Sequence, residues 1–382
     1  MPMKSHNESF FTNEMLPPKP PPPGTIGVIG WMRKNLFSNW INTILTFVGI
    51  YFIWLIVSSL LQFALLDAVW SGKDRNACLS HNGEEVGACW AFVRAKFNQY
   101  MFGFYPRPEQ WRVLLTYAVG AVLLVPMLIP RVPYKRINGI LLLVAFPVFA
   151  YFMLYGADFL GLEKVETTKW GGLLLTLVIA VTGIVTSLPL GVLLALGRQS
   201  KMPVVRLASV IFIEFWRGVP LITVLFMSSV MLPLFLPEGV NLDKVIRPLV
   251  GVALFSAAYM AEVVRGGLQA IPKGQYEGAM ALGLTYWKMM RLIILPQALK
   301  LVIPGIVNTF IGLFKDTSLV SIIGLMDLLG IAQSSLADAK WSTPVTAPTV
   351  YLFLAMLYWI FTFSMSRYSI FMEHHLHTGH KR

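Results

Sequence analysis

The sequence predicts an all-α polytopic membrane protein with about eight transmembrane helices. Apolar residues make up 56% of its 382 residues and charged residues only 13%, with a mean hydropathy of +0.64. Several apolar runs approach the roughly 20 residues needed to cross a hydrocarbon core. Lys and Arg collect in alternate short connectors, the pattern of the positive-inside rule. Length alone would allow two or three soluble domains, but this composition excludes them. The net charge of +12 does not indicate nucleic acid, because the basic residues are spread over loop ends rather than gathered in one patch.

Residues 1–38 form the first expected segment, a cytoplasmic tail with Pro17, Pro18 and Pro20 to Pro23 around Lys19. Such a run favours extended polyproline II and cannot form a core; it serves as a spacer or as a docking motif. No cleavable signal peptide is expected, since residues near position 10 carry no apolar run, and the first apolar helix then acts as the insertion signal. Residues 39–169 are expected to hold three helices, at about 40–63, 113–130 and 137–156. A polar and aromatic outer loop at 67–112 lies between the first two. Cys78 and Cys89, the only cysteines, stand within disulfide reach in that loop. An oxidising compartment would bridge them, with about 3 kcal/mol of local stabilisation in the chain-entropy model; otherwise they are two free thiols. Trp170 is expected to anchor the chain at an outer interface.

From Trp170 the composition changes. A fourth span to about Gly197 is rich in small residues, including Gly183 and Gly191, which permit close helix packing. A fifth follows at about 209–236, interrupted by Glu214, Arg217 and Pro220, and a sixth at about 248–264. A seventh starts after Pro296 and meets Lys315 and Asp316; the piece at 319–332 is too short to cross unaided. The last covers about 348–366. The connectors 131–136, 198–206 and 265–300 carry three, three and five Lys plus Arg, against two, two and one for 157–169, 237–247 and 337–344. This asymmetry places both termini in the cytoplasm. The 371–382 tail contains His374, His375, His377 and His380, but no cysteine or enclosing fold accompanies them, so a solvated tail is expected and no metal site.

The loop at 265–300 carries the most informative motif. After the turn signal Pro272-Lys273-Gly274 a helix is expected to run until Pro296 interrupts it, with Gly278, Ala279 and Gly283 leaving one side free of bulk. Glu277-Gly278-Ala279, three residues, Gly283, nine residues, then Ile293-Ile294-Leu295-Pro296 resembles the EAA loop of ABC-importer permeases, whose pattern is E-A-A-x3-G-x9-I-x-L-P. Gly278 stands where the pattern has its second alanine; it keeps the side chain small at a helix-propensity cost of up to about 1 kcal/mol. Further stretches across residues 170–370, including FIEFWRGVPLITVLFM and LFKDTSLVSIIG, resemble polar amino-acid permeases of that superfamily. The three extra N-terminal helices resemble the larger general L-amino-acid permease subunits.

The resemblance implies a five-helix type I ABC importer permease core at 170–370 preceded by three extra helices, in a bacterial inner membrane. It implies ATPase coupling through Glu277, Gly278, Ala279, Gly283, Leu295 and Pro296. It also implies a second, homologous permease subunit, a homodimeric cytoplasmic ABC ATPase, a periplasmic amino-acid-binding protein and alternating access. ATP and Mg would be bound by the ATPase partner; this chain needs no cofactor of its own and is not expected to be an enzyme. It has no GxxxxGK[ST] loop: in the nearest approach, from Gly156 to Gly161, Leu162 stands where lysine is required.

Ionisable residues beside apolar runs are costly in a membrane and point to a pathway or to a helix end. Lys315 and Asp316 offer a cation and an anion to an amino-acid zwitterion, with Asn308, Thr317 and Ser318 nearby; alternatively they mark the end of the seventh helix. Leu319 and Val320 add no charge, so such a site would read the amino-acid backbone and accept many side chains. Glu214 with Arg217, and Glu262 with Arg265, stand three apart and are expected to pair, pinning helix ends or gating. An ion-driven secondary amino-acid transporter and a non-transporting sensor or scaffold on the same fold are the competing functions.

Overall fold

The computed structural model describes residues 27–79, 86–237, 239 and 242–376. The proline run, Ser80 to Gly83 of the outer loop, His377 and His380 lie outside the described residues. Among the described residues there is no strand, only isolated bridges. The chain divides into two compact units, residues 1–68 and 69–382.

The first unit holds α1 (Gly27–Asn35) and α2 (Trp40–Leu66). The tail expected at 1–38 thus contains a helix; beyond the prolines every residue has its own N–H, and Asn35 Nδ2 also donates to the Trp31 carbonyl at 2.9 Å. Asn39 caps α2 by accepting from the Asn42 N–H at 2.7 Å. Within this unit no residue of α2 is buried, and its length and hydropathy suit a membrane span.

The second unit contains α3 (Trp90–Phe102), α4 (Gln110–Leu128), α5 (Lys135–Tyr155), α6 (Gly172–Arg198), α7 (Pro203–Gly218), α8 (Leu221–Phe235) and α9 (Ile246–Ala270). These are followed by α10 (Lys273–Ala281), α11 (residues 286–301), α12 (Ile303–Ile323), α13 (Leu328–Ser335) and α14 (Thr346–Leu376). Among the described residues seven helices are long and apolar enough to cross a membrane, and an eighth if α7 and α8 count as one broken span. The break at Gly218 to Pro220 bends that pair by 104°, where the sequence predicts an interrupted but single crossing. Pro220 has no N–H to continue the ladder and disfavours helical geometry at Val219.

Pro296 does not end its helix, contrary to the sequence expectation. A one-turn π-helix at Met290–Ile294 precedes it, and the helix continues through Leu295–Leu301. The same arrangement occurs at Leu141–Ala145 before Pro147 and at Met227–Met231 before Pro233. A wider turn just ahead of the proline relieves the ring's clash with the preceding turn, so the helix passes through. The break falls at Val302 instead, and the seventh span begins at Ile303.

The centre of the bundle is the α6–α9 pair. A Cβ added at Gly191 would lie 2.7 Å from the Met260 Cβ, and one at Gly183 2.7 Å from Leu313 Cδ2. Small residues at these two positions bring α9 and α12 against α6, as the composition of the fourth span predicts.

Residues 69–79 and 86–111 fold onto the start of α6. Cys78 is bonded to Cys89 with Cα atoms 5.7 Å apart. The Cys89 N–H donates to Thr349 Oγ1 at 2.9 Å, Tyr100 Oη lies 3.0 Å from Ser335 Oγ, and Lys96 pairs with Asp338 at 2.7 Å. Trp170 is only 6% exposed, against its expected role as an interfacial anchor. It packs with Tyr105, Val113, Leu154 and Leu174, because the short 156–170 connector draws it inward against α4 and α5.

Candidate functional site

The predicted coupling loop closes the end of the bundle where α6 finishes and α9 runs into α10. Helix α10 stops at Ala281, four residues short of where α11 is initiated by Thr285, so one continuous helix from 274 to 296 is not what forms. Gly283 decides this. Its φ is +71°, its N–H donates to the Met280 carbonyl at 2.9 Å, and the Leu284 N–H reaches back to the Ala279 carbonyl at 3.2 Å. These crossed bonds are a Schellman termination with glycine in the left-handed position. Sequence reading assigned Gly283 to a smooth helix face; its role is to end the helix.

Ala279 is 2% exposed and joins Met289, Met290, Ile294 and Ala298 in an apolar cluster with Met260, Val264 and Leu268 of α9. Tyr276 Oη donates to the Leu268 carbonyl at 3.3 Å, and burial pushes its phenol above the usual range, keeping it protonated. One side of the loop is therefore fixed to the bundle. The opposite side is open: Glu277 and Gly278 are exposed, as are Met280 (57%), Leu282 (77%) and Trp287 (67%). Leu295 is half-buried and Pro296 exposed.

Beside this loop lies an ion-pair network. Arg198 Nη1 contacts Glu214 Oε1 at 2.8 Å and Glu262 Oε1 at 3.0 Å; Arg265 Nη2 contacts Glu262 Oε2 at 2.7 Å, and Arg217 reaches the same oxygen at 3.8 Å. The expected Glu262–Arg265 pair forms. The expected Glu214–Arg217 pair does not, because Arg217 turns toward Glu262 and the Tyr259 ring while Glu214 faces the end of α6. Arg198, which the sequence marks only as a connector charge, joins the two glutamates.

On α12, Asn308 and Lys315 are exposed and stand seven residues apart, two turns along one face. Asp316 is half-buried, and no Lys315–Asp316 ion pair forms among the described residues. Thr317 is buried and donates to the Phe314 carbonyl at 2.8 Å; Ser318 donates to the Lys315 carbonyl at 2.8 Å. Both hydroxyls therefore serve the helix end, and only Asn308 and Lys315 share an open face. Among the described residues no group of three or more His, Cys, Asp and Glu could hold a metal ion. His374 and His375 extend α14, which continues to Leu376 beyond the span end predicted at 366.

A family model for the binding-protein-dependent transport system inner membrane component matches residues 187–372. Along almost its whole length the chain is similar to the inner membrane amino-acid ABC transporter permease protein YhdY of Escherichia coli (strain K12). The two are 53% identical over 363 residues, which cover 95% of this chain and 97% of that relative. The chain belongs to the amino-acid ABC transporter permeases. This permease is also similar to the glutamate/glutamine/aspartate/asparagine transport system permease protein BztC of Rhodobacter capsulatus, 42% identical over 437 aligned positions covering 98% of this chain and 99% of that one. A crystal structure of an amino acid ABC transporter with histidines is 31% identical, covers 53% of this chain and 92% of its own, and superposes with a TM-score of 0.47. The permease is thus a multi-pass inner-membrane subunit of an amino-acid ABC transporter.

A buried carboxylate escaped the sequence reading of the permease. Asp327 is 0% exposed and caps α13, accepting from Gly330 N at 2.9 Å and Leu329 N at 3.2 Å. The next N–H, of Leu328, donates to Thr176 Oγ1 of α6 at 3.0 Å. Burial pushes the Asp327 carboxyl up to about 6 against the pull of those two amide donors. An aspartate directly before the apolar run from Leu328 to Ile331 was the available signal for the cap.

Proposed function

We propose that the exposed ridge of Glu277, Gly278, Met280, Leu282 and Trp287 docks in a groove of a homodimeric cytoplasmic ATPase. A second, homologous permease subunit and a periplasmic amino-acid-binding protein complete the transporter. ATP and Mg belong to the ATPase subunits in this reading, and the permease contributes only the docking ridge and the path. What carries the proposal is the two-sidedness of the loop: Ala279, Met289, Met290 and Ile294 fix it to the bundle while large apolar side chains remain open on the other side. A force applied at the ridge reaches α9 directly. Transport then requires the two conformations of the permease to differ in their contacts with the ATPase.

The charge asymmetry of the connectors supports cytoplasmic termini and uptake toward the side carrying the ridge. Substrate would pass the α12 face that carries Asn308 and Lys315, with Asp316 beside it. A site reading the amino and carboxyl groups common to all amino acids fits broad specificity.

Uptake of an amino-acid panel by vesicles containing the co-purified complex tests this reading. Uptake should require internal ATP and the binding protein, and Lys315→Ala or Asp316→Ala should raise KM for several amino acids together. Robust uptake driven by an ion gradient without ATPase would overturn the ATP-driven mechanism, and unchanged kinetics in both variants would remove these residues from the path.

A further inference from the structure

A cavity of about 550 Å³ opens between α6, α7 and α9 at the end of the bundle that carries the coupling loop. It is lined by Arg198, Gln199, Arg206, Val210, Arg265 and Gln269. Its size lies within the range of ligand pockets, about 300–1,000 Å³. No carboxylate is among these lining residues. Arg198 and Arg265 are held from behind by Glu214 and Glu262, and the Arg206 guanidinium makes no ion pair among the described residues. With Arg217, four arginines face two glutamates here, leaving two positive charges in excess. Gln199 and Gln269 add amide donors. An anion with several acceptor oxygens suits this set, because guanidinium forks bind phosphate with paired hydrogen bonds.

Helix α7 indicates which phosphate-bearing molecule this is. Its Ser209 and Ile213 are buried in the bundle, and Arg206 and Val210 line the cavity beside that seam. The adjoining face is apolar and open: Val204 is 77% exposed, Leu207 61%, Ile211 59% and Phe215 49%. The 104° bend after Gly218 sets α7 across the direction of α8. An amphipathic helix with a basic strip beside an open apolar face matches a membrane-interface helix, and a basic pocket between membrane helices matches an acidic headgroup. Free phosphate would use the arginines and leave the apolar face unexplained; a phospholipid uses both.

We propose that Arg198, Arg206 and Arg265 hold the phosphate of an anionic phospholipid whose acyl chains lie along Val204, Leu207, Ile211 and Phe215. The lipid would tie α6, α7 and α9 together beside the coupling loop, sharing Arg198 and Arg265 with Glu262.

The test uses the full chain, purified from membranes with the subunits that accompany it and placed in nanodiscs of equal phosphatidylcholine and phosphatidylglycerol. Mass spectrometry then counts the lipids retained after detergent extraction. Phosphatidylglycerol should be retained at least about fivefold over phosphatidylcholine, and Arg206→Gln should lower that enrichment by about fivefold, the expected share of one basic residue near the membrane surface. Arg206→Lys should keep most of it. Arg107→Gln, a charge loss just before α4 and outside the cavity lining, should leave it unchanged. Equal retention of both lipids, wild-type enrichment in Arg206→Gln, or the same loss in Arg107→Gln would overturn the proposal. So would occupancy by millimolar inorganic phosphate without any phosphatidylglycerol enrichment.

Discussion

Arg198, the last residue of α6, places one guanidinium nitrogen 3.0 Å from Glu262 on α9 while the same nitrogen lies 2.8 Å from Glu214 on α7. One cation therefore joins three helices at the end of the bundle that carries the 265–300 loop. Glu262 is the hub of this network, because Arg217 and Arg265 reach it too and its side chain is only 15% exposed, against 54% for Glu214. Charge pairs lose strength steeply with exposure, so the two glutamates are not equivalent.

Glu262→Gln should therefore lower stability by about 1–3 kcal/mol, less than breaking a fully buried pair because water reaches this one. Glu214→Gln should cost no more than about 1 kcal/mol. Thermal melting of the purified permease complex measures both. A loss for Glu214→Gln equal to that for Glu262→Gln would contradict the hub assignment.

Gly283→Val should strain the turn between α10 and α11 by about 1–2 kcal/mol, since its φ of +71° is left-handed. The expected readout is loss of ATPase co-purification or of coupling between hydrolysis and uptake. Gly278→Ala should behave oppositely. A Cβ there meets nothing within 4 Å, so the helix gains up to about 1 kcal/mol and uptake is retained. Full coupling in Gly283→Val, or lost coupling in Gly278→Ala, would refute this division of roles.

Gly172→Ala should be among the most damaging single changes outside the coupling loop. Its φ is +61°, and an added Cβ would collide with the Tyr100 backbone carbonyl, where α3 meets the start of α6. Neither backbone can yield cheaply, so a loss of about 3 kcal/mol or more is expected, read as a lower melting midpoint or poor recovery from membranes. A melting midpoint within a degree or two of wild type would show that this junction is loose.

Asp327 makes stability depend on pH. Its folded carboxyl titrates at about 6, raised by burial from 3.8. The folded state thus holds its proton through that window while the unfolded state has lost it, so stability falls as pH rises from about 4 to about 6. The difference is on the order of 3 kcal/mol and is fully felt above the folded value. Between neutral pH and the lower edge of that window, the melting midpoint of Asp327→Asn should change less than that of wild type. Parallel pH profiles would show that another group is responsible.

Sequence alone determined the class of this protein, most of its spans and the position of the loop that carries the EAA-like motif. Hydropathy is a sum over neighbours in the chain and needs no fold, and the Glu277 to Pro296 motif is local. Residue roles within the motif were less legible: a spacing shows that Gly283 is small, whereas only backbone geometry shows that it terminates α10. The π-turns at Leu141–Ala145, Met227–Met231 and Met290–Ile294, each just before a proline, likewise depend on which turn of the helix relaxes.

Tertiary structure decided what the charged and polar residues meet. Residues three apart on one helix suggested Glu214–Arg217, but Arg198 arrives from another helix and Arg217 turns toward Glu262. Thr176 and Leu328 meet although 152 residues separate them, as do Cys89 and Thr349 across 260. Hydropathy and helix periodicity act over a few turns of chain, whereas an ion pair or a hydrogen bond is chosen by whichever partner the packed helices bring within about 3 Å.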